Sequence, residues 1–111
     1  MSDLTEKKCV PCEGGATGLT KAEANDFLKQ LEGWTLNYEV PELTKAYTFK
    51  NFYKTMAFVN AVAFVANNEN HHPDLLVGYN YCTISLKTHA ISGLSENDFI
   101  VAAKIDALEH L

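Results

Sequence analysis

The stretch Gly33-Trp34-Thr35-Leu36-Asn37-Tyr38-Glu39-Val40 decides the fold, because the spacing of apolar residues changes there from three and four to two. Before it, Thr20 and Glu23 form a T-x-x-E capping box, and Ala24, Phe27, Leu28 and Leu31 recur at i, i+3, i+4 and i+7. This pattern predicts a helix over 21–32 that stops near Gly33. From Trp34 onward, Trp34, Leu36, Tyr38 and Val40 alternate with Thr35, Asn37 and Glu39, the period of a half-buried strand. Pro41 and Glu42 interrupt the alternation, and Tyr47 and Phe49 continue it against Ala46, Thr48 and Lys50. Two neighbouring antiparallel strands are the simplest reading.

Further along, Asn51 is suited to cap a longer helix that carries Phe52, Met56, Val59, Ala63 and Ala66 on one stripe. Ala57, Phe58, Ala61, Val62, Phe64 and Val65 widen that stripe, so both a sheet and another subunit are expected to cover it. Asn67, Asn68 and Asn70 mark its fraying end, and Pro73 prevents His72 from continuing the helix. Residues 75–79 read as a third strand and 81–88 as a fourth, with Cys82, Ile84 and Leu86 on one face and Thr83, Ser85 and Lys87 on the other. His89 falls with the polar set. After Gly93, Ser95 and Asp98 make a capping pair, Leu94 is placed to staple onto Phe99, and Ile100, Ala103 and Ala107 supply part of a buried stripe. The order α-β-β-α-β-β-α predicts an α+β domain, a four-stranded antiparallel sheet with three helices packed on one face. Residues 1–19, with Pro11, Gly14, Gly15 and Gly18 and no apolar period, are expected to be a tail or irregular cover on a domain spanning 20–111.

Composition narrows the function classes. The chain has 111 residues, 47% hydrophobic and 21% charged, which fits one core. A domain of this size buries roughly two thirds of its unfolded surface and has little margin, so a homodimer or homotetramer is expected. The net charge is -5 and Lys and Arg do not cluster, which disfavours direct contact with a nucleic acid backbone. Residues 1–8 lack the apolar run of a signal peptide, and no stretch is long and apolar enough to span a membrane. Three cysteines, an odd number, suit reduced thiols and a cytoplasmic location.

The chemistry-bearing residues are histidines at element boundaries. His71 and His72 follow a helix C-terminus, where the dipole favours imidazolium by about 0.3 to 1 kcal/mol. Neutral imidazole accepts a proton and imidazolium donates one, so two at one pocket could exchange roles around a leaving hydroxyl. The same residues also read as a polar helix-to-strand turn, with His89 an ordinary strand-end histidine, Pro73 a helix stop, Asp74 a solvating residue and Asp98 a cap. His71, His72, His89 and Cys82 are ligand types that zinc accepts, but adjacent side chains in an extended turn diverge and Cys82 should face away from His89. No metal is therefore expected. Cys9-Val10-Pro11-Cys12 has C-x-x-C spacing without a second pair, a preceding strand or a following helix, and reads as an inert reduced pair. Nucleotide-binding glycine loops and the G-x-S-x-G elbow are missing.

Taken jointly, Asn70-His71-His72-Pro73-Asp74, Tyr79, Thr88-His89 and Gly93-Leu94-Ser95-Glu96-Asn97-Asp98 resemble the pterin-4a-carbinolamine dehydratase family. The similarity reaches back through Phe49-Lys50-Asn51-Phe52 to Gly33-Trp34 and covers about residues 20–110. It implies a 4a-hydroxytetrahydropterin substrate formed during aromatic amino acid hydroxylation, a quinonoid dihydropterin product, a functional link to an aromatic amino acid hydroxylase and no cofactor. By match to the family, His71 and His89 assist departure of the hydroxyl as acids, and His72 binds or takes the ring proton. Asn67, Asn70, Pro73, Asp74 and Asp98 are the candidate supporting or substrate-binding residues. Two positions depart from the family: Asn67 stands where an ionisable residue is common, and Leu75 where an aromatic one is. The resemblance also permits a second class, a dimerising regulatory or transcriptional cofactor that acts through protein partners.

Overall fold

The T-x-x-E box closes in both directions. Glu23 N–H donates to Thr20 Oγ1 at 3.1 Å and Thr20 N–H to Glu23 Oε1 at 2.8 Å, launching helix α1 (Lys21–Leu28). The computed structural model describes residues 3–7, 9, 18–88 and 93–108. α1 stops four residues short of the expected 32, because the amides of Gln30 and Leu31 bond to the carbonyls three residues back and tighten the end. Gly33, at φ +80, then turns the chain toward the sheet.

The remaining elements are β1 (Thr35–Asn37), β2 (Glu42–Thr48), α2 (Phe52–Glu69), β3 (Asp74–Val77), β4 (Tyr81–Leu86) and α3 (Glu96–Leu108). The sheet has order β1-β2-β4-β3, every pair antiparallel, so the two hairpins meet through β2 and β4 with Leu43 opposite Leu86 and Tyr47 opposite Cys82. The three helices pack on one face, giving the α+β architecture that the apolar periods predict. Leu43, Tyr47, Cys82, Ile84 and Leu86 turn to that face and are buried against α3, whose Phe99, Val101, Ala102 and Ile105 are also fully enclosed.

Further local expectations change: β1 keeps only Thr35–Asn37 of the alternation read over 34–40, and β3 and β4 end two residues early, at Val77 and Leu86. β2 begins at Glu42 instead of near 46; the period was masked by Lys45, which points inward to an ion pair with Asp106 at 2.9 Å. On α2 the buried stripe is Thr55, Phe58, Val62, Ala66 and Glu69, while Phe52 stays half exposed and Ala63 lies on the outside. Thr55 is accepted in the core because its hydroxyl donates to carbonyls, with Asn51 O at 2.9 Å and Tyr79 O at 3.0 Å. On α3, Ala107 is exposed.

A short 3-10 turn, Asp3–Glu6, lies on α3 and carries Leu4 into the core at 1% exposure. Burying one leucine contributes about 1.5–3 kcal/mol, enough to hold such a segment against the domain. β3 forms one edge of the sheet, and among the described residues nothing covers it, all four of its own residues being exposed. No helix among the described residues is long and apolar enough to cross a membrane.

Candidate active site

α2 ends in a Schellman motif. Asn70 adopts the left-handed conformation (φ 51, ψ 40), its N–H donates to Asn67 O, and the N–H of His71 donates to Ala66 O. Asn tolerates this region better than most residues, and Pro73 two positions beyond His71 prevents renewed helix. His71 thus emerges at a fixed point from the helix end, and the two neighbouring rings part.

His71 turns inward. Its Nε2 lies 2.7 Å from Oδ1 of Asp98 on the first turn of α3, and the pair is enclosed, with side-chain exposures of 12% and 0%. The other carboxylate oxygen accepts from Thr88 Oγ1 at 2.7 Å and from the backbone N–H of Ser95 at 3.0 Å, while the Thr88 and Ser95 hydroxyls lie 2.8 Å apart. Asp98 is therefore both the helix cap foreseen from Ser95 and the anchor of a histidine. A carboxylate accepts and never donates, so the neutral His71 ring must carry its proton on Nε2 and keep its lone pair on Nδ1. When the ring is protonated, Nδ1–H becomes a donor and the buried carboxylate compensates the new charge.

His72 turns outward, where its Nε2 lies 3.2 Å from Asn67 Oδ1 across the last turn of α2. Pro73 is half-buried, and Asp74, exposed, opens β3 opposite Ser85. The structure thus joins His71 with Asp98 and His72 with Asn67, and leaves Asp74 on the strand edge. His89 and Cys12 lie outside the described residues, although Thr88, directly before His89, belongs to the Asp98 network. Thr88 and Ser95 as hydroxyl partners were missed, since nothing in a strand-end threonine announces its target. Glu69 was missed as well; its place on the buried stripe of α2, three residues after Ala66, was the available signal.

Among the described residues no group of three or more His, Cys, Asp or Glu side chains is arranged to hold a metal ion. Cys82 is buried beneath the sheet, which pushes its thiol upward from its ordinary value of 9.0 by desolvation.

Residues 17–108 match the family model described as pterin 4 alpha carbinolamine dehydratase. The chain belongs to this family. A Nitrosomonas eutropha protein with a provisional pterin-4-alpha-carbinolamine dehydratase name is 58% identical over 109 residues, covering 97% of this chain and 95% of the relative. A provisional dehydratase of Legionella pneumophila (strain Corby) is 53% identical over 108 residues, covering 96% of each chain. Among solved structures, the transcriptional coactivator/pterin dehydratase of Brucella melitensis superposes with TM-score 0.79 at 32% identity, covering 83% of this chain and 98% of that one. A pterin dehydratase-like protein identified as a RuBisCO assembly factor of the alpha-carboxysome gives TM-score 0.61 at 29% identity, covering 69% of this chain and 89% of that one. The histidine turn and the start of α3 both lie inside the segment that matches the dehydratase family.

Proposed function

We propose that the protein dehydrates 4a-hydroxytetrahydropterin to quinonoid dihydropterin, with His71, His72 and His89 as the acid-base residues. The observation that carries this is the buried Asp98 carboxylate on His71 Nε2, an arrangement that assigns one ring nitrogen to the protein and reserves the other for a proton transfer. As imidazolium, His71 donates from Nδ1 to the C4a hydroxyl, which leaves as water together with His89's assistance. His72 takes or holds the proton lost from a pterin ring nitrogen, its ring steadied by Asn67. Loss of water balances without a redox cofactor. Asn70 and Pro73 shape the turn, Asp98 orients His71, and Asp74 stands at the strand edge as a supporting or substrate-binding residue.

The same reading places the protein in the cytoplasm, beside an aromatic amino acid hydroxylase that forms the carbinolamine. It works as a homodimer or homotetramer: edge strand β3 leaves Leu75, Leu76 and Val77 exposed, and α2 leaves Phe52, Tyr53 and Phe64 exposed. An uncovered strand edge is a template for a second copy of itself.

The test is turnover of freshly generated 4a-hydroxytetrahydropterin, with the spontaneous reaction subtracted, by the wild type and by His71→Ala, His72→Ala and His89→Ala. Each folded variant should lose enzyme-dependent rate by about 10²-fold or more. Unchanged rates in all three refute the site. The names of the two solved relatives and the exposed apolar surface favour a second reading, a regulatory or assembly protein working through partners. That reading predicts histidine-independent partner binding with no turnover.

A further inference from the structure

Glu69 is the last residue of α2, two positions before His71, and its carboxylate is buried, with side-chain exposure of 5%. Oε2 pairs with Lys104 Nζ of α3 at 2.5 Å, and Oε1 accepts from the backbone N–H of Cys9 at 2.8 Å. Lys104 and Asp98 stand six residues apart on α3, about 9 Å along the helix axis. α2 and α3 are consequently joined at two separated points, Glu69 to Lys104 and His71 to Asp98, an attachment that resists both sliding and rotation.

The N-terminal segment spans the same junction. Lys7 pairs with Glu96 on the first turn of α3, Cys9 Sγ donates to Asn97 O at 3.7 Å, and Leu4 is locked into the core. The segment therefore touches the residues directly before Asp98 and the residue that ends α2. Burying a carboxylate and an ammonium carries a desolvation penalty, so a well-packed apolar pair would serve cohesion as well or better. Hydrogen-bond direction is what the charged pair adds. The match to the family model begins at residue 17, so the N-terminal half of this brace precedes it, although the Nitrosomonas relative aligns over 97% of the chain.

We propose that Glu69 is a positioning residue for His71, clamped by the N-terminal segment and Lys104 so that the end of α2 presents His71 to Asp98. The inference deepens the dehydratase reading and rests on it for its kinetic arm alone. Glu69→Leu removes the bonds to Lys104 and to Cys9 N–H, and Glu69→Gln keeps an acceptor for Cys9 N–H while removing the charge. In the full chain, Glu69→Leu is expected to lower kcat about tenfold with KM within about twofold, and to displace the acid limb of the pH profile. Glu69→Gln should retain more activity than Glu69→Leu. The second readout needs no turnover: the ring nitrogen resonances of His71 in 15N-histidine-labelled protein should move or broaden in Glu69→Leu and less in Glu69→Gln.

His71→Ala is run alongside. If it turns over like the wild type while Glu69→Leu displaces the His71 resonances, the dehydratase site is wrong and the positioning role stands. If folded Glu69→Leu keeps the wild-type kcat, pH profile and His71 resonances, the positioning role is overturned. Should Glu69→Leu not fold, Glu69→Gln and Lys104→Met carry the same measurements, and wild-type values in both overturn it equally.

Discussion

Asp98→Asn exposes the logic of the site because it preserves shape and removes one acceptor. The carboxylate meets three donors, His71 Nε2–H and Thr88 Oγ1–H on separate oxygens and Ser95 N–H beside the threonine. The amide NH2 of asparagine must replace one of those oxygens. Facing Ser95, it meets a backbone N–H that cannot change its character. Facing His71, it meets a ring that can move its proton from Nε2 to Nδ1. The second orientation wins, so the variant holds His71 in the opposite tautomer and opposes formation of the imidazolium. Loss of a charge-assisted acceptor in a buried site destabilises the fold by roughly 1.5–3 kcal/mol. Activity falls further, on the order of 10²-fold, equivalent to about 2.7 kcal/mol of barrier. Denaturant titration gives the first number, initial rates of carbinolamine dehydration after subtraction of the spontaneous reaction give the second, and histidine ring 15N shifts report the tautomer. A folded Asp98→Asn protein with kcat within threefold of wild type and a proton still on Nε2 would refute the argument.

Other outcomes follow from neighbouring features. Cys9 has its thiol pushed from 9.0 up to about 12, first by burial and then by the Glu69 carboxylate, so its thiolate at pH 8 is about a thousandfold scarcer than in the unfolded chain. Iodoacetamide should label native Cys9 correspondingly slowly, and a rate within tenfold of the urea-unfolded rate contradicts this. Because the folded value lies above the unfolded one, the stability linked to this thiol is complete below pH 9.0 and is lost as pH rises toward 12. Cys9→Ser/Cys12→Ser should leave dehydration intact, and a folded double variant without turnover would reassign the segment to catalysis. Leu76, 63% exposed on edge strand β3, should become a dimer breaker as Leu76→Lys; light scattering that shows unchanged assembly counts against the β3 interface. Asn67→Asp gives His72 an exposed charge partner worth about 0.2–1 kcal/mol, so dehydration should change by less than about fivefold. A much larger gain would implicate a carboxylate there in proton transfer.

Local capping and strand periods made the architecture legible. Thr20 with Glu23, and Asn51 with the amide of Lys54 at 2.9 Å, start their helices where the side-chain types imply. Legibility failed where a polar group points inward and finds a distant partner. Lys45 breaks the alternation of β2, yet it pairs with Asp106, which also accepts from Trp34 Nε1 at 3.0 Å and from the Tyr47 hydroxyl. Leu4 offered no period to recognise because a single apolar residue fills its slot on α3. In the site, His71, His72 and Asp98 were visible as residue types, and the parting of adjacent side chains was expected from the extended turn. Which ring would turn inward was not, since that depends on the Schellman ending of α2 and on the position of α3, both set by tertiary packing.

Helix ends are ordinarily the first parts of a fold to fray, but the opening turn of α3 is sunk in the interior, with Asn97 at 5% exposure and Asp98 at 0%. The amide hydrogen of Ser95 hangs on the same carboxylate that holds His71. Solvent deuterium can reach that amide when Asp98 Oδ2 releases it, and a swing of the carboxylate that opens this bond also disturbs Oδ1, where the imidazole is held. Ser95 is in this sense a built-in clock for the carboxylate beside the histidine: the rate at which its hydrogen is traded with water counts how often Asp98 gives up its hold on the start of the helix, in a resting protein and with no substrate present.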